Sequence, residues 1–120
     1  MKLFYTNYVT DEGIDSENPI EVETQYAVNT FLNMVDGKDN FLGLIDDKGN
    51  CIQFINEENR WLLDIPNPPN FQNKQAYLND SECINLIVEI VDNNLINTNM
   101  ELYYVNTMDE TLEDVLARKK

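Results

Sequence analysis

The chain has no histidine, and that removes more chemistry than any other single fact. Without it there is no imidazole general base, no imidazole metal ligand and no Ser-His or Cys-His pair. The only thiols are Cys51 and Cys83, too far apart in sequence to make a CxxC half-site for zinc. Both sit among apolar neighbours, Cys51 in a strand pattern and Cys83 in a helical one, so they read as buried, reduced thiols. Only four glycines are present, and none builds a phosphate-binding loop. Carboxylates are so numerous that no pair of them singles itself out as a catalytic dyad. The run DEGIDSEN tests poorly as a calcium loop: aligned from Asp11, Gly13, Ser16 and Val22 fall where an acid or amide, a glycine and a glutamate are required. The expectation is a protein that is not an enzyme and holds no metal or cofactor.

What remains is charge. Twenty-two acids face eight bases over 120 residues, a net charge of −14. The acids are not interspersed with bases. From Lys2 to Lys38 the charged residues are Asp11, Glu12, Asp15, Glu17, Glu21, Glu23 and Asp36, with no base among them. From Lys74 to Arg118 the pattern repeats, and Asp109, Glu110, Glu113 and Asp114 crowd its end. Acids favour helix N-termini, which accounts for Glu21, Glu82 and Glu110. It does not account for Asp11, Glu12 and Asp15. A surface of this sign repels nucleic acid and anionic membrane and attracts basic proteins. The candidate partner-binding residues are therefore Asp11, Glu12, Asp15 and Glu17, then Asp109, Glu110, Glu113 and Asp114, with Trp61 as a candidate aromatic anchor.

The elements that would position these residues are legible in part. At this length one domain, residues 1–120, buries roughly two thirds of its unfolded surface. Phe41–Pro66 reads as three strands: Phe41–Asp46, Cys51–Asn56 and Trp61–Ile65. They are joined by turns at Asp47-Lys48-Gly49-Asn50 and Glu57-Glu58-Asn59, and Pro66 ends the last. Gly49 can take the positive φ of a type I turn with a bulge. Leu3–Val9 reads as a first strand and Thr10–Asn18 as an acidic loop. Pro19, with Glu21 and Glu23 behind it, predicts a helix over Pro19–Asp36 that Gly37 stops. Asn67–Asn79 reads as a loop, stiffened by Pro68-Pro69 and pinned by Phe71 and Tyr77. Asn79 or Asp80 caps a second helix over Ser81–Asn93, with Glu82 completing a capping box. Met100–Asn106 reads as a strand, and Thr107-x-x-Glu110 as a box that opens a last helix over Met108–Lys119. The expected fold is α+β: an antiparallel meander packed against two or three helices. Phe31, Leu32, Leu44, Ile52, Phe54, Leu63, Ile84, Ile87 and Val88 form the expected core.

This layout, a helix, a meander of the type FLGLIDDKGNCIQFI…WLLDIP and a second helix after an acidic cap, resembles the small acidic immunity proteins of bacterial polymorphic toxin systems, contact-dependent growth inhibition among them. The resemblance is architectural and covers about Pro19–Asn94. It implies a protein that binds the C-terminal domain of a cognate toxin, often a basic nuclease, and covers its active site. Two other readings stay open. One is an acidic nucleic-acid mimic that blocks a DNA-binding enzyme, which would compete with DNA for several partners. The other is a solitary structural or regulatory domain. The N-terminus MKLFYTNYVT lacks the apolar core of a signal peptide, and no apolar run approaches the ~18 residues of a membrane helix, so a cytoplasmic location is expected.

Overall fold

Each strand of the centre is written by alternation. In Cys51–Asn56, Ile52, Phe54 and Asn56 are buried while Cys51, Gln53 and Ile55 are half-buried, the period of two that a pleated sheet imposes. The computed structural model describes residues 1–67, 70–97 and 101–118. In chain order its strands are β1 (Lys2–Asn7), β2 (Glu12–Ile14), β3 (Ile20–Glu21), β4 (Phe41–Ile45), β5 (Cys51–Asn56), β6 (Trp61–Asn67), β7 (Asn70–Leu78) and β8 (Tyr103–Asn106). The helices are α1 (Thr24–Leu32), α2 (Asp80–Asn93) and α3 (Leu112–Arg118). All strands join one antiparallel sheet in the order β2-β1-β4-β5-β6-β7-β8, and β3 also pairs with β1. The expected α+β class is what the chain adopts.

Alternation assigns the two faces. Leu3, Leu42, Leu44, Ile52, Phe54, Trp61, Leu63 and Leu78 point to one side and form the main core with Ala27, Phe31 and Met34 of the α1 region and Cys83, Ile87 and Ile90 of α2. Phe31 and Trp61 meet there with ring centroids 4.5 Å apart. The intervening residues Leu62, Tyr77, Tyr103 and Val105 point to the other side and pack under Leu112 and Val115 of α3. The sheet is thus covered on one face from β1 to β7, apart from its edges at Ile20 and Tyr104, and on the other only over β6–β8.

The turns behave as their residues dictate. Gly49 has φ 83°, and its N–H donates to the Asp46 carbonyl at 3.0 Å. Asn79 caps α2: its side chain accepts from the Glu82 N–H at 2.8 Å, and the Glu82 carboxylate accepts from the Asn79 N–H at 3.0 Å.

Several expectations are corrected. Pro19–Asp36 is not one helix. Ile20 and Glu21 pair with Leu3 and Lys2, and α1 begins only at Thr24 behind Glu23, which makes no side-chain cap. Pairing to a neighbouring strand overrides the local helix-start signal. The shorter helix also ends earlier: Leu32 is exposed, and Met34 fills the core position instead. Ile84 and Val88 are only half-buried. Thr10–Asn18 contains β2, an edge strand. Pro66 does not end β6; it sits where the β6–β7 register shifts, between Ile65 and Asn67. The expected loop Asn67–Asn79 is mostly β7, hydrogen-bonded to β6 on one side and β8 on the other. The last helix opens four residues late. Thr111 and Asp114 make the reciprocal cap, while Glu110 accepts from the Asn106 N–H. Pro68-Pro69, Met100 and Lys119-Lys120 lie outside the described residues, as does the Phe71 side chain.

Candidate functional site

The part of the sheet that no helix covers is the outer face of β1, β4 and β5. Phe4 dominates it. The Phe4 ring lies across the backbone of its register partner Gly43, so close that a Cβ at Gly43 would stand 2.0 Å from Phe4 Cζ. Phe41 meets Phe4 edge-on at 6.4 Å between centroids. The result is an aromatic floor with Gln53 beside it.

The β1–β2 hairpin forms the wall. Its base is fixed from inside. The Asn7 side-chain oxygen accepts from the Val9 and Thr10 N–H groups at 3.0 and 3.3 Å, and Asn40 Oδ1 accepts from the Tyr8 N–H at 2.7 Å. Asn40 Nδ2 also donates to Asn7 Oδ1 and to the Met34 carbonyl, and Asn56 donates to the Met34 and Val35 carbonyls. These three asparagines are buried, and between them they tie the hairpin to the segment after α1 and to the β4–β5 pair. Asp11 takes φ 60°, a left-handed turn that Asp tolerates better than most residues. Gly13 then lets β2 pass close to β1, where a Cβ would stand 2.7 Å from the Tyr5 carbonyl oxygen.

Floor and wall enclose an open groove of ≈ 650 Å³, lined by Phe4, Tyr5, Thr6, Phe41 and Gln53 and by Asp11–Ser16 of the hairpin. Asp11, Glu12 and Asp15 put three carboxylates on it, and no base lines it. Among the described residues Asp11 and Glu12 have no ion pair or side-chain hydrogen bond; the Asp15 carboxylate accepts only the Glu17 N–H two residues on. Burial, with Glu12 and Tyr26 nearby, raises the Tyr5 hydroxyl above its ordinary pKa. The groove can therefore do two things chemically: draw in a cation and cover its apolar stem.

The other predicted residues fall elsewhere. Glu17 is exposed on the same loop but does not line the groove. The second acidic patch is internally answered. Glu113 pairs with Arg60 and Glu110 with Arg118, which holds the Glu110 carboxyl below its usual range. Asp114 accepts from the Thr111 N–H and Asp109 from Asn106 Nδ2. The structure places Trp61 in the core, 2% exposed, packed at a tilt against Phe31 and donating from Nε1 to Asp80 at 2.6 Å. It offers a partner no surface in this fold. The apolar half of the groove was missed from the sequence. Its signal was Gly43 between Leu42 and Leu44, opposite an aromatic strand, and that signal needs the register to be read.

Among the described residues no group of His, Cys, Asp or Glu is gathered to hold a metal ion. Burial, then the nearby Asp64 carboxylate, pushes the Cys51 thiol up to about 11; burial also raises Cys83, ahead of Asp80 and Glu82. No helix among the described residues is long and apolar enough to cross a membrane. No protein family, curated protein or solved structure matches this chain.

Proposed function

We propose that the protein is a non-enzymatic inhibitor of the immunity type, which captures a basic toxin domain and keeps its active site from substrate. One observation carries the reading: an aromatic-floored groove lined by Asp11, Glu12 and Asp15, with no base lining it. Carboxylates that serve the fold are normally capped or paired, as those of the second patch are. The unpaired acids of the hairpin are available to a cationic partner. The net charge of −14 extends the same preference over the whole surface. In this mechanism the acids speed encounter, and the desolvated apolar centre sets the lifetime of the complex. The partner is most simply sought in the product of the adjacent gene, since immunity proteins are made beside their toxins.

The test is a variant carrying Asp11→Asn, Glu12→Lys and Asp15→Lys, with Asn chosen at 11 because it also tolerates the left-handed turn. Association with the adjacent-gene product should slow strongly at low salt. Wild-type association should fall as the Debye length shrinks from about 10 Å at 0.1 M to about 3 Å at 1 M, while dissociation changes less. An unchanged association rate in the variant removes the hairpin from the interface. Failure of the wild-type chain to bind ends the reading.

A further inference from the structure

We infer that Tyr8 and Val9, at the tip of the β1–β2 hairpin, are the apolar anchor that a basic protein partner buries on binding. The inference rests on the function proposed above and names where that complex holds. Tyr8 is 62% exposed and Val9 70% exposed, side by side in the chain. A tight hairpin tip ordinarily carries Gly, Asn, Asp or Ser, and an apolar pair left mostly exposed there gains the fold little by burial.

The tip is nonetheless held firmly. Its three successive N–H groups, from Tyr8 to Thr10, are answered by the side chains of Asn40 and Asn7, which are 1% and 3% exposed. Val9 is also seated against Gly37, where an added Cβ would stand 2.8 Å from Val9 Cγ2. The core thus commits two buried amides and a close glycine contact to the conformation of a surface loop. An exposed aromatic carried on a fixed backbone orders less chain on binding, and that favours an efficient hot spot.

Charge selects the occupant. A second copy of this chain would bring a further −14 against the same face, and nucleic acid and anionic membrane are repelled for the same reason. Asp11 and Glu12 follow the tip directly, so a protein with cationic groups around an apolar pocket fits both features at once.

The experiment compares a Tyr8→Ser/Val9→Ser double variant with wild type. The probes are the adjacent-gene product and poly-arginine, which reports charge alone. Both positions are exposed, so an unchanged unfolding midpoint verifies the fold. The expected result is dissociation from the adjacent-gene product at least about 30-fold faster, the effect of a ~2 kcal/mol hot spot. Association and poly-arginine binding should be unaltered. Dissociation within about threefold of wild type, while the charge variant still slows association, overturns the anchor and leaves the proposed function standing. A wild-type dimer in sedimentation that the double variant dissolves also overturns it, by assigning the tip to a second copy. A wild-type chain that binds no adjacent-gene product overturns both.

Discussion

Replacing Asn40 tests the asparagine network that holds the hairpin, and the cost can be worked from the bonds it makes. Its side chain makes three: from the Tyr8 N–H, to Asn7 Oδ1 and to the Met34 carbonyl. In Asn40→Ala, Asn7 Oδ1 keeps the Val9 and Thr10 N–H groups and the Met34 carbonyl keeps Asn56. The Tyr8 N–H loses its acceptor. Each net bond is worth ~0.5–1.5 kcal/mol, and the surviving partners soften two of the three losses, so the expected destabilisation is about 2–3 kcal/mol, or roughly 10 °C in melting temperature. The Asn40→Asp variant sharpens the test. It keeps an acceptor for Tyr8 but turns a carboxylate oxygen toward Asn7 Oδ1 and the Met34 carbonyl, both of them acceptors. That environment raises the folded-state pKa of the introduced carboxyl. A raised carboxyl pKa means that the folded state binds the extra proton, so the variant's deficit should be small below the ordinary Asp value near ~3.9 and widen as pH rises through the folded value. Urea unfolding of wild type and both variants across pH measures this, with amide exchange at Tyr8 as the local readout. An Asn40→Ala variant within ~0.5 kcal/mol of wild type, or an Asn40→Asp variant whose deficit shrinks as pH rises, would refute the assigned network.

Three further outcomes are expected. Gly43→Ala should lose about 1–3 kcal/mol, because the new methyl collides with the Phe4 ring; an unchanged melting temperature would show that the ring does not lie there. Burial pushes Asp46 upward, but hydrogen bonds from the Asn50 side chain and from the Asn50, Ile96 and Lys48 N–H groups outweigh it and hold the carboxyl below its usual range. Its stabilisation should therefore be present at neutral pH and fade as pH falls through the folded value. Asp46→Asn should be weaker than wild type at pH 7 and converge with it in acid, which parallel unfolding titrations will read. Cys83 is buried and Cys51 half-buried, and both thiols are pushed up in pKa. Both should therefore react with a disulfide reagent at pH 8 more slowly in the native chain than in urea, Cys83 the slower; fast native labelling of Cys83 would contradict its burial.

Legibility followed how local each signal was. The bounds of β5 could be read in advance because Ile52, Phe54 and the Gly49 turn make a self-contained pattern. The start of α2 was legible because Asn79 and Glu82 satisfy each other across one turn. β7 was not, since Asn70–Leu78 is rich in Asn, Gln and Lys, which strands disfavour. It is a strand because β6 and β8 flank it and because Asp64 accepts from Asn73 and Gln75 across the β6–β7 pair. β3 was hidden for the opposite reason: Pro19 and Glu21 make a plausible helix start, and only β1 alongside reveals otherwise. At the site, the acids of the hairpin stood out because no helix end explained them. Its aromatic floor stayed invisible because Phe4 and Gly43 are neighbours only through register. Trp61 was a candidate anchor by type, but a strand tryptophan is more often core, and type alone does not say which side of the sheet it faces.

The strand order also sets a timetable for folding. From β4 to β7 every strand lies beside its successor in the chain, so these pairings close short loops and form early, whereas β8 reaches β7 only across α2. β1 is different: Leu3 finds Leu44, and nothing nearer in sequence can take that place in the sheet. The N-terminal hairpin then seats late on the β4–β7 sheet, and mutations in β5 and β6 should slow refolding while those in β1 mainly quicken unfolding. During synthesis Leu3 and Tyr5 can meet Ile20 and Ile14 before β4 is present, but the other edge of β1 stays open until β4 arrives. Until then that edge depends on local pairing alone, and like charge on every copy opposes edge-to-edge association.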